Sequence, residues 1–280
     1  MPSIRRLAPL AAALFALTFA CATTAPTPGP QGASAGAERP APAGDRTFAI
    51  LAVNDVYRIE GIDGGTRGHL ARLRTLRQRL EQQHPDLLLL HAGDALYPSF
   101  ASRTFDGGQM IDVLNLMDGD GAAFDDRFFA TLGNHEFDAH DLEDAALLDD
   151  RIEESAFWWF ATNVEFESDD TGLPLVAGHN LLTRTLVDTG GVRVGLFGLT
   201  IDNKKPAYVR SFGDYEATAR EQIAALREAG AEFVVALTHL DLQQDAELLF
   251  ALQEDGPDLV IGGHDHNQTA REVDGRWILK

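Results

Sequence analysis

Polar residues of the kinds that bind metal ions follow five short apolar runs in this chain. They come at the carboxyl end of each run: Asn54 and Asp55 after FAILAV, Asp94 after DLLLL, Asn134 to Asp138 after FFATL, His239 after EFVVALT, and His264 and His266 after DLVI. The carboxyl ends of the strands in an open parallel sheet share one edge, and ligands bind there. We therefore expect these groups, which are far apart in sequence, to meet in one site.

The donor types in this set indicate a particular class of metal site. They are carboxylates, imidazoles and one amide, without a thiolate, which suits Mn, Zn, Fe, Mg or Ni better than a structural zinc site. Three histidines, two aspartates and an asparagine are too many ligands for one ion, and they fit two ions that share a bridging carboxylate. Two ions about 3.5–4 Å apart can clamp both oxygens of a phosphoryl displacement. The sequence therefore predicts two divalent ions as cofactors.

The segments that must position these residues alternate between strands and helices. Apolar runs predict strands over 48–53, 86–90, 128–132, 158–164, 192–200, 232–238 and 258–263, and amphipathic patterns predict helices over 68–83, 110–117, 141–155 and 215–229. This alternation predicts one α/β domain over residues 45–280 with a largely parallel sheet. The closing RWILK is a further strand, which either lies at a sheet edge or indicates a fragment of a longer protein.

The first 44 residues have the composition of an export segment and a tether. Arg5 and Arg6 precede an apolar run that ends at Ala20, so residues 1–20 are interpreted as a signal peptide. Cys21 is the only cysteine and is a candidate for lipid attachment, with simple cleavage as the alternative. Residues 21–44 are rich in Pro, Ala, Gly and Ser and are expected to be a disordered tether. We expect export to the periplasm or cell envelope, with membrane contact only through lipid on Cys21.

The overall charge limits the class of partner. The chain carries a formal net charge of −20. Such an acidic chain is a poor ligand for the phosphate backbone of nucleic acid or for an anionic membrane surface. A small phosphorylated molecule held by metal ions is the expected partner.

The metal-type motifs resemble those of a known superfamily. Their order and spacing are similar to those of the calcineurin-like metallophosphoesterases, and most similar to the exported 5′-nucleotidase and UDP-sugar hydrolase branch. The resemblance rests on NDVY, HAGD, MIDVLNLM, GNHEFD, LTHLDLQQD and GGHDH and spans residues 48 to 280. It implies an αββα sandwich with largely parallel central sheets and a dinuclear site at the strand carboxyl ends.

The resemblance also implies a role for each residue. Asp55 and His266 would hold the first metal, and Asp94 would bridge. Asn134, His239 and His264 would hold the second metal. His135 would stabilise charge at the substrate phosphate and protonate the leaving oxygen, Asp138 would orient His135, and a metal-activated hydroxide would be the nucleophile.

The first motif departs from the family pattern at one position. Where the family has Asp-x-His, this chain has Asp55-Val56-Tyr57. A phenol binds most divalent ions poorly, so the favoured interpretation is that Tyr57 packs or hydrogen-bonds beside a first metal position with fewer protein ligands. The alternative is that Tyr57 or Tyr97 binds ferric iron, because GDALY resembles the Gly-Asp-x-x-Tyr motif of purple acid phosphatases.

Three functions remain open at this point. The leading hypothesis is hydrolysis of small phosphomonoesters, with nucleotides as the expected class. The second is a cyclic-nucleotide or nucleotide-sugar phosphodiesterase on the same site, and the third is a metal-binding or phosphate-binding lipoprotein without catalysis. A binding protein has no need for a leaving-group acid, so the pair His135 and Asp138 favours an enzyme. We also consider His91 as a residue that supports a ligand, and Asp245 as one that orients His239 or caps a helix.

Overall fold

The computed structural model describes residues 46–280. The predicted signal peptide (1–20) and the tether with Cys21 (21–44) lie outside the described residues, and the domain boundary at residue 45 stays a prediction. Among residues 46–280, no helix is both long enough and apolar enough to cross a membrane.

Thirteen strands and six α-helices form the described part of the chain. The strands are β1 (Ile50–Val53), β2 (Leu88–His91), β3 (Phe128–Thr131), β4 (Trp158–Phe160), β5 (Val164–Phe166), β6 (Leu181–Leu182), β7 (Arg184–Thr189), β8 (Val192–Thr200), β9 (Val209–Phe212), β10 (Phe233–His239), β11 (Leu259–Gly262), β12 (Ala270–Val273) and β13 (Arg276–Leu279). The helices are α1 (Leu70–Glu81), α2 (Phe100–Phe105), α3 (Gly108–Leu114), α4 (Ala145–Glu153), α5 (Tyr215–Glu228) and α6 (Leu242–Leu252).

Two sheets carry the site. The first has the order β1-β2-β3-β4-β6, and all its neighbouring strands are parallel. The second has the order β12-β13-β11-β10-β8-β7, and its four inner strands are parallel while β7 and β12 run antiparallel at the edges. Strands β5 and β9 form a separate antiparallel pair.

The two sheets pack face to face, and helices cover the outer face of each sheet. Leu88 and Leu90 of β2 pack between the sheets with Val235 and Leu237 of β10, whereas Leu89 faces the core beneath α1 and α3. Successive side chains of a strand point to opposite faces, so strands that are apolar throughout bury both faces. A further core lies between the second sheet and helices α5 and α6. The result is the αββα sandwich that the resemblance implied.

The structure differs from the sequence predictions at a few elements. The run 158–164 is not one strand, because β4 ends at Phe160 and Asn163 turns to hydrogen-bond the backbone of Thr200. The predicted helix over 141–155 begins as a 3₁₀ turn and becomes α-helical at Ala145. The RWILK strand, β13, is not at the sheet edge, because β12 pairs along its outer side.

Candidate metal centre

The loops that follow the central strands bend sharply where they meet. Asp55, Asp94, His264 and His266 all have positive φ angles, of 53°, 59°, 79° and 56°. Few non-glycine residues adopt this left-handed conformation, and such residues concentrate at functional sites. The bends turn all four side chains toward one point at the carboxyl ends of both sheets.

The first group of donor atoms consists of Asp55, Asp94 and His266. One ligand atom from each residue lies within 4.8 Å of the other two. His266 Nε2 is 3.2 Å from Asp55 Oδ1. The backbone N–H of His264 donates to Asp55 Oδ2 at 3.0 Å, which ties the β1 loop to the β11 loop.

The second group consists of Asn134, His239 and His264, with Asp94 at the boundary between the groups. Asn134 Oδ1 is 3.2 Å from His239 Nε2 and 3.0 Å from His264 Nδ1. Asp94 Oδ2 is 3.3 Å from His239 Nε2. Because Asp94 also belongs to the first group, it is the carboxylate that the two groups share.

The chemistry of these donors fits a cation. His239 Nδ1 donates to the carbonyl of Ala92 at 2.7 Å, so the lone pair of a neutral ring is on Nε2. That lone pair faces the oxygens of Asp94 and Asn134, which are acceptors as well. A positive ion would stabilise these converging acceptor atoms, so this arrangement suits divalent metals.

Opposing effects set the charge of these groups. Burial opposes ionisation of Asp94, but in the metal-free protein a protonated His239 outweighs it through its hydrogen bond and its charge and lowers the pKa of Asp94 to about 2. Burial lowers the pKa of His264, and the charge of His239 lowers it further. An ionised Asp94 and a neutral His264 are the forms that bind metal.

Glu136, although it lies within GNHEFD, faces away from both groups. Its buried carboxylate accepts hydrogen bonds from the backbone N–H groups of Asp94 at 2.9 Å, Ala95 at 2.7 Å and Leu96 at 3.0 Å. It also accepts from the N–H of Gly133 at 2.5 Å. Burial raises the pKa of Glu136 and the nearby Asp94 charge adds to it, while these N–H donors oppose the rise. Glu136 therefore fixes the β2 loop against the β3 loop.

Two glycines allow these loops to approach His239. A Cβ at Gly93 would lie 2.5 Å from His239 Nδ1, and the φ of Gly93 is +86°. A Cβ at Gly133 would overlap the Oδ1 atom of Asp94. No side chain fits at either position without moving a ligand candidate.

His135 lies beside the two groups and is oriented by Asp138. Its Nδ1 is 3.0 Å from each carboxylate oxygen of Asp138, and its Nε2 is 4.0 Å from Asp94 Oδ2. The backbone N–H of His135 donates to Asp94 Oδ1 at 2.8 Å. The structure thus brings together all eight residues that the sequence singled out: Asp55, Asp94, Asn134, His135, Asp138, His239, His264 and His266.

Only one of the two tyrosines considered as iron ligands, Tyr57, contacts the donor groups. The Tyr57 hydroxyl is 3.0 Å from Asp55 Oδ1, 3.0 Å from Asp94 Oδ2 and 2.7 Å from His266 Nε2, so it lies inside the first group. Burial raises the pKa of the Tyr57 phenol, and the charges of Asp94 and Asp55 raise it further. Tyr97 is instead buried in the core with Tyr208, and burial raises its pKa to about 12.

Other singled-out residues lie near the groups without joining them. His91 is fully buried, neither ring nitrogen has a hydrogen-bond partner among the described residues, and burial lowers its pKa to about 4. The polar partners of Asp245 among residues 46–280 do not include His239, and the cap of α6 is Asp241. Asp245 accepts from Thr238 Oγ1 at 2.7 Å and pairs with Lys280 at 2.9 Å.

Lys204 is a site residue that sequence reasoning missed. Its Nζ forms an ion pair with Asp138 Oδ1, on the carboxylate that also orients His135. Lys204 follows the carboxyl end of β8, which is an inner strand of the second sheet. The signal was available, because the rule that polar groups gather at strand carboxyl ends applies equally to the loop after Thr200.

The fold and the site together define a class of protein. An αββα sandwich with carboxylate, amide and imidazole donors gathered at the strand carboxyl ends belongs to the metal-dependent phosphoester hydrolases. The family model described as calcineurin-like phosphoesterase matches residues 48–268. The chain belongs to this family, as its motifs predicted.

Similar proteins agree with this assignment. The chain is 28% identical over 231 residues to a 5′-nucleotidase of Rattus norvegicus. The aligned region covers 78% of this chain and 37% of the relative. It is also 28% identical over 235 residues to a snake venom 5′-nucleotidase of Crotalus adamanteus. This alignment covers 79% of this chain and 37% of the relative. The chain thus spans less than half the length of these relatives.

Solved structures share the fold. A 5′-nucleotidase precursor from Thermus thermophilus superposes with a TM-score of 0.66 at 23% identity, over 83% of this chain and 48% of that one. The NAD nucleotidase of Haemophilus influenzae superposes with a TM-score of 0.63 at 22% identity, over 80% of this chain and 39% of that one.

Proposed function

We propose that this chain is an exported dinuclear metal-dependent phosphoesterase that hydrolyses small phosphomonoesters, with nucleotides as the substrate class. The observation that carries the proposal is the position of His135, an oriented imidazole at the edge of two groups of metal-type donors. The similar proteins are 5′-nucleotidases, which supports a nucleotide substrate. Export rests on residues 1–20 and on Cys21.

Two cations would share this centre through one carboxylate. Asp55 and His266 would hold the first and Asn134, His239 and His264 the second, with Asp94 between them. When bound, such ions supply Lewis acidity, which neutralises charge on phosphoryl oxygens and lowers the pKa of a water molecule. The protein's part is to fix the donors, which the contacts of Glu136 and His239 achieve.

In the proposed reaction, His135 donates a proton to the leaving group. Its Nδ1 is held by Asp138, so Nε2 is the atom that faces the donor groups and carries the mobile proton. A positioned acid of this kind contributes about 10²–10⁴-fold to a rate. The ion pair of Lys204 with Asp138 holds the carboxylate in place while His135 gives up its proton.

The test is a substrate panel on protein reconstituted with Mn²⁺ or Zn²⁺. The panel contains AMP, nitrophenyl phosphate, UDP-glucose, 2′,3′-cyclic AMP and bis-nitrophenyl phosphate. We expect metal-dependent turnover, fastest with a monoester, and a loss of about 10²–10⁴-fold in His135→Ala. His179→Ala is the matched control, because His179 pairs with Glu153 at an exposed position.

The same panel separates the other candidates. If UDP-glucose, 2′,3′-cyclic AMP or bis-nitrophenyl phosphate is hydrolysed faster than the monoesters, the enzyme is a phosphodiesterase and not a monoesterase. Bound metal in a folded protein without turnover of any compound would favour the non-catalytic binding protein. The oriented pair of His135 and Asp138 argues against that third function.

A further inference from the structure

A cavity of about 310 Å³ opens directly beside the first donor group. Its walls include Tyr57, Arg58, Ser99, Phe100 and Gln109. Tyr57 belongs to both features, because its hydroxyl contacts the carboxylates of Asp55 and Asp94 while the residue lines the cavity. Whatever occupies this cavity therefore lies next to the phosphate position.

The leaving group of the proposed reaction would face this side of the site. The rings of Tyr57 and His135 meet edge to face, with their centroids 5.7 Å apart. Under the proposed function, His135 protonates the leaving oxygen, so that oxygen lies beside the ring of Tyr57. The rest of the leaving alcohol then extends along Tyr57 toward the cavity.

Phe100 presents an aromatic face at the mouth of the cavity. Its side chain is 89% exposed, the largest value among the exposed large hydrophobic residues of the described part of the chain. It is the first residue of α2, and Ser99 caps this helix by accepting the backbone N–H of Ser102 at 2.9 Å. An exposed aromatic side chain on a capped helix is a preformed stacking surface.

Polar groups complete the walls. The amide nitrogen of Gln109 donates to Ser102 Oγ at 2.9 Å, while its carbonyl oxygen has no partner among the described residues. Arg58 forms no ion pair with any residue in 46–280. An aromatic face beside a guanidinium is suited to a flat heteroaromatic ring with polar edges.

We propose that this cavity is the leaving-group subsite and that it binds the base and sugar of a nucleoside monophosphate, with the base stacked on Phe100. The proposal rests on the proposed function, because it is the phosphate position that places the nucleoside here. The volume lies at the small end of ligand cavities, which agrees with one nucleoside rather than a larger group.

The kinetic test compares two leaving groups. AMP has an aromatic base and glycerol 3-phosphate has none. We expect the ratio of kcat/KM for AMP to that for glycerol 3-phosphate to fall about tenfold in Phe100→Ala, mainly through the KM for AMP. Phe105→Ala is the matched control, because Phe105 is 61% exposed on the same helix but does not line the cavity. An unchanged ratio in Phe100→Ala, or an equal fall in Phe105→Ala, would overturn the subsite.

A binding test separates this proposal from the proposed function. Adenosine carries no phosphate, so its binding to the metal-loaded protein can be measured by saturation-transfer NMR without any reaction. We expect saturation of the adenine protons, reduced severalfold in Phe100→Ala and retained in Phe105→Ala. If no phosphomonoester is hydrolysed but this pattern holds, the function is wrong and the cavity assignment stands. If wild-type protein does not bind adenosine, the assignment is wrong whatever the enzyme hydrolyses.

Discussion

At the scale of single residues, Tyr57 is the feature that most distinguishes this site. The Tyr57 hydroxyl has one proton, yet it contacts two carboxylate oxygens and His266 Nε2 at 2.7–3.0 Å. Burial and two carboxylates keep the phenol protonated, which makes it a weak metal ligand. The structure thus favours a hydrogen-bonding Tyr57 over a ligating one.

The Tyr57→His substitution tests this interpretation. We expect tighter Zn²⁺ binding at the first group, by about tenfold, because a neutral imidazole replaces a protonated phenol. Competition with a chromophoric chelator measures the change, and Tyr97→Phe, made in the core, is the control. Iron-loaded wild-type protein should be colourless. A visible charge-transfer band that disappears in Tyr57→Phe would show instead that the phenol binds ferric iron.

Lys204 carries the second prediction at this scale. When the ammonium group of Lys204 is removed, Asp138 loses one of the two partners that hold it. The orientation of His135 then becomes less defined. We expect Lys204→Met to lower kcat about tenfold, with metal content and KM nearly unchanged. The neighbouring Lys205 is exposed, and Lys205→Met is the matched control. An equal loss in both variants would indicate a nonspecific charge effect.

At the scale of elements, prediction from the sequence succeeded where strands are apolar throughout. The strands β2, β8 and β10 are buried on both faces, so their runs are continuous in the sequence. Strands β7 (RTLVDT) and β9 (VRSF) were missed because each has only two apolar residues and most of their side chains are only partly buried or exposed. The partner of β9 is β5, which is far away in sequence, whereas β7 pairs with the next strand, β8, across the two-residue turn Gly190-Gly191.

The site divides in the same way. The ligand candidates could be predicted because strand ends in a parallel sheet share one edge. The cavity beside Phe100 could not, because it joins loops whose relative position depends on packing. The strand-end rule could have placed Lys204 near the site, but not its contact with Asp138. Glu136 illustrates the limit: it lies among the metal-type residues of GNHEFD, but four backbone N–H groups orient its carboxylate away from both donor groups.

A buried ion pair links α6, β13 and the β11 loop and predicts a pH effect. Lys280 contacts Asp245 at 2.9 Å and Asp265 at 2.5 Å, and burial raises the pKa of Asp245 to about 6 despite the opposing charge of Lys280. In the unfolded chain the pKa of an aspartate carboxyl is about 3.9. Between these values the folded state binds more protons, so this residue makes the protein more stable as the pH falls from about 6 to about 4.

Urea unfolding of metal-free protein measures this effect. The free energy of unfolding of wild type should rise relative to Asp245→Asn as the pH falls over that range, by on the order of 2 kcal/mol. Asn cannot titrate, and it leaves Lys280 with Asp265, so the variant supplies the reference. A difference that is constant with pH would mean that the pKa of Asp245 is not raised in the folded protein.

At the scale of the whole molecule, the site joins the two sheets. Asp55, Asp94 and Asn134 follow strands of the first sheet, whereas His239 and His264 belong to the end of the second. A cation bound by donors from both sheets binds the folded state alone, because the unfolded chain does not assemble the set. Metal binding is therefore coupled to the stability of the entire sandwich.

This coupling predicts a metal-dependent melting temperature. A metal at 100 times its Kd stabilises the folded state by about 2.7 kcal/mol, which corresponds to roughly 5–10 °C for a domain of this size. We expect EDTA to lower the Tm of Zn²⁺-loaded protein by that amount in scanning fluorimetry. His239→Ala should lose most of the metal-dependent difference whatever its own metal-free Tm, and His179→Ala should keep it. Equal Tm values with and without EDTA, in protein shown by elemental analysis to contain metal, would mean that the ions do not bridge the sheets.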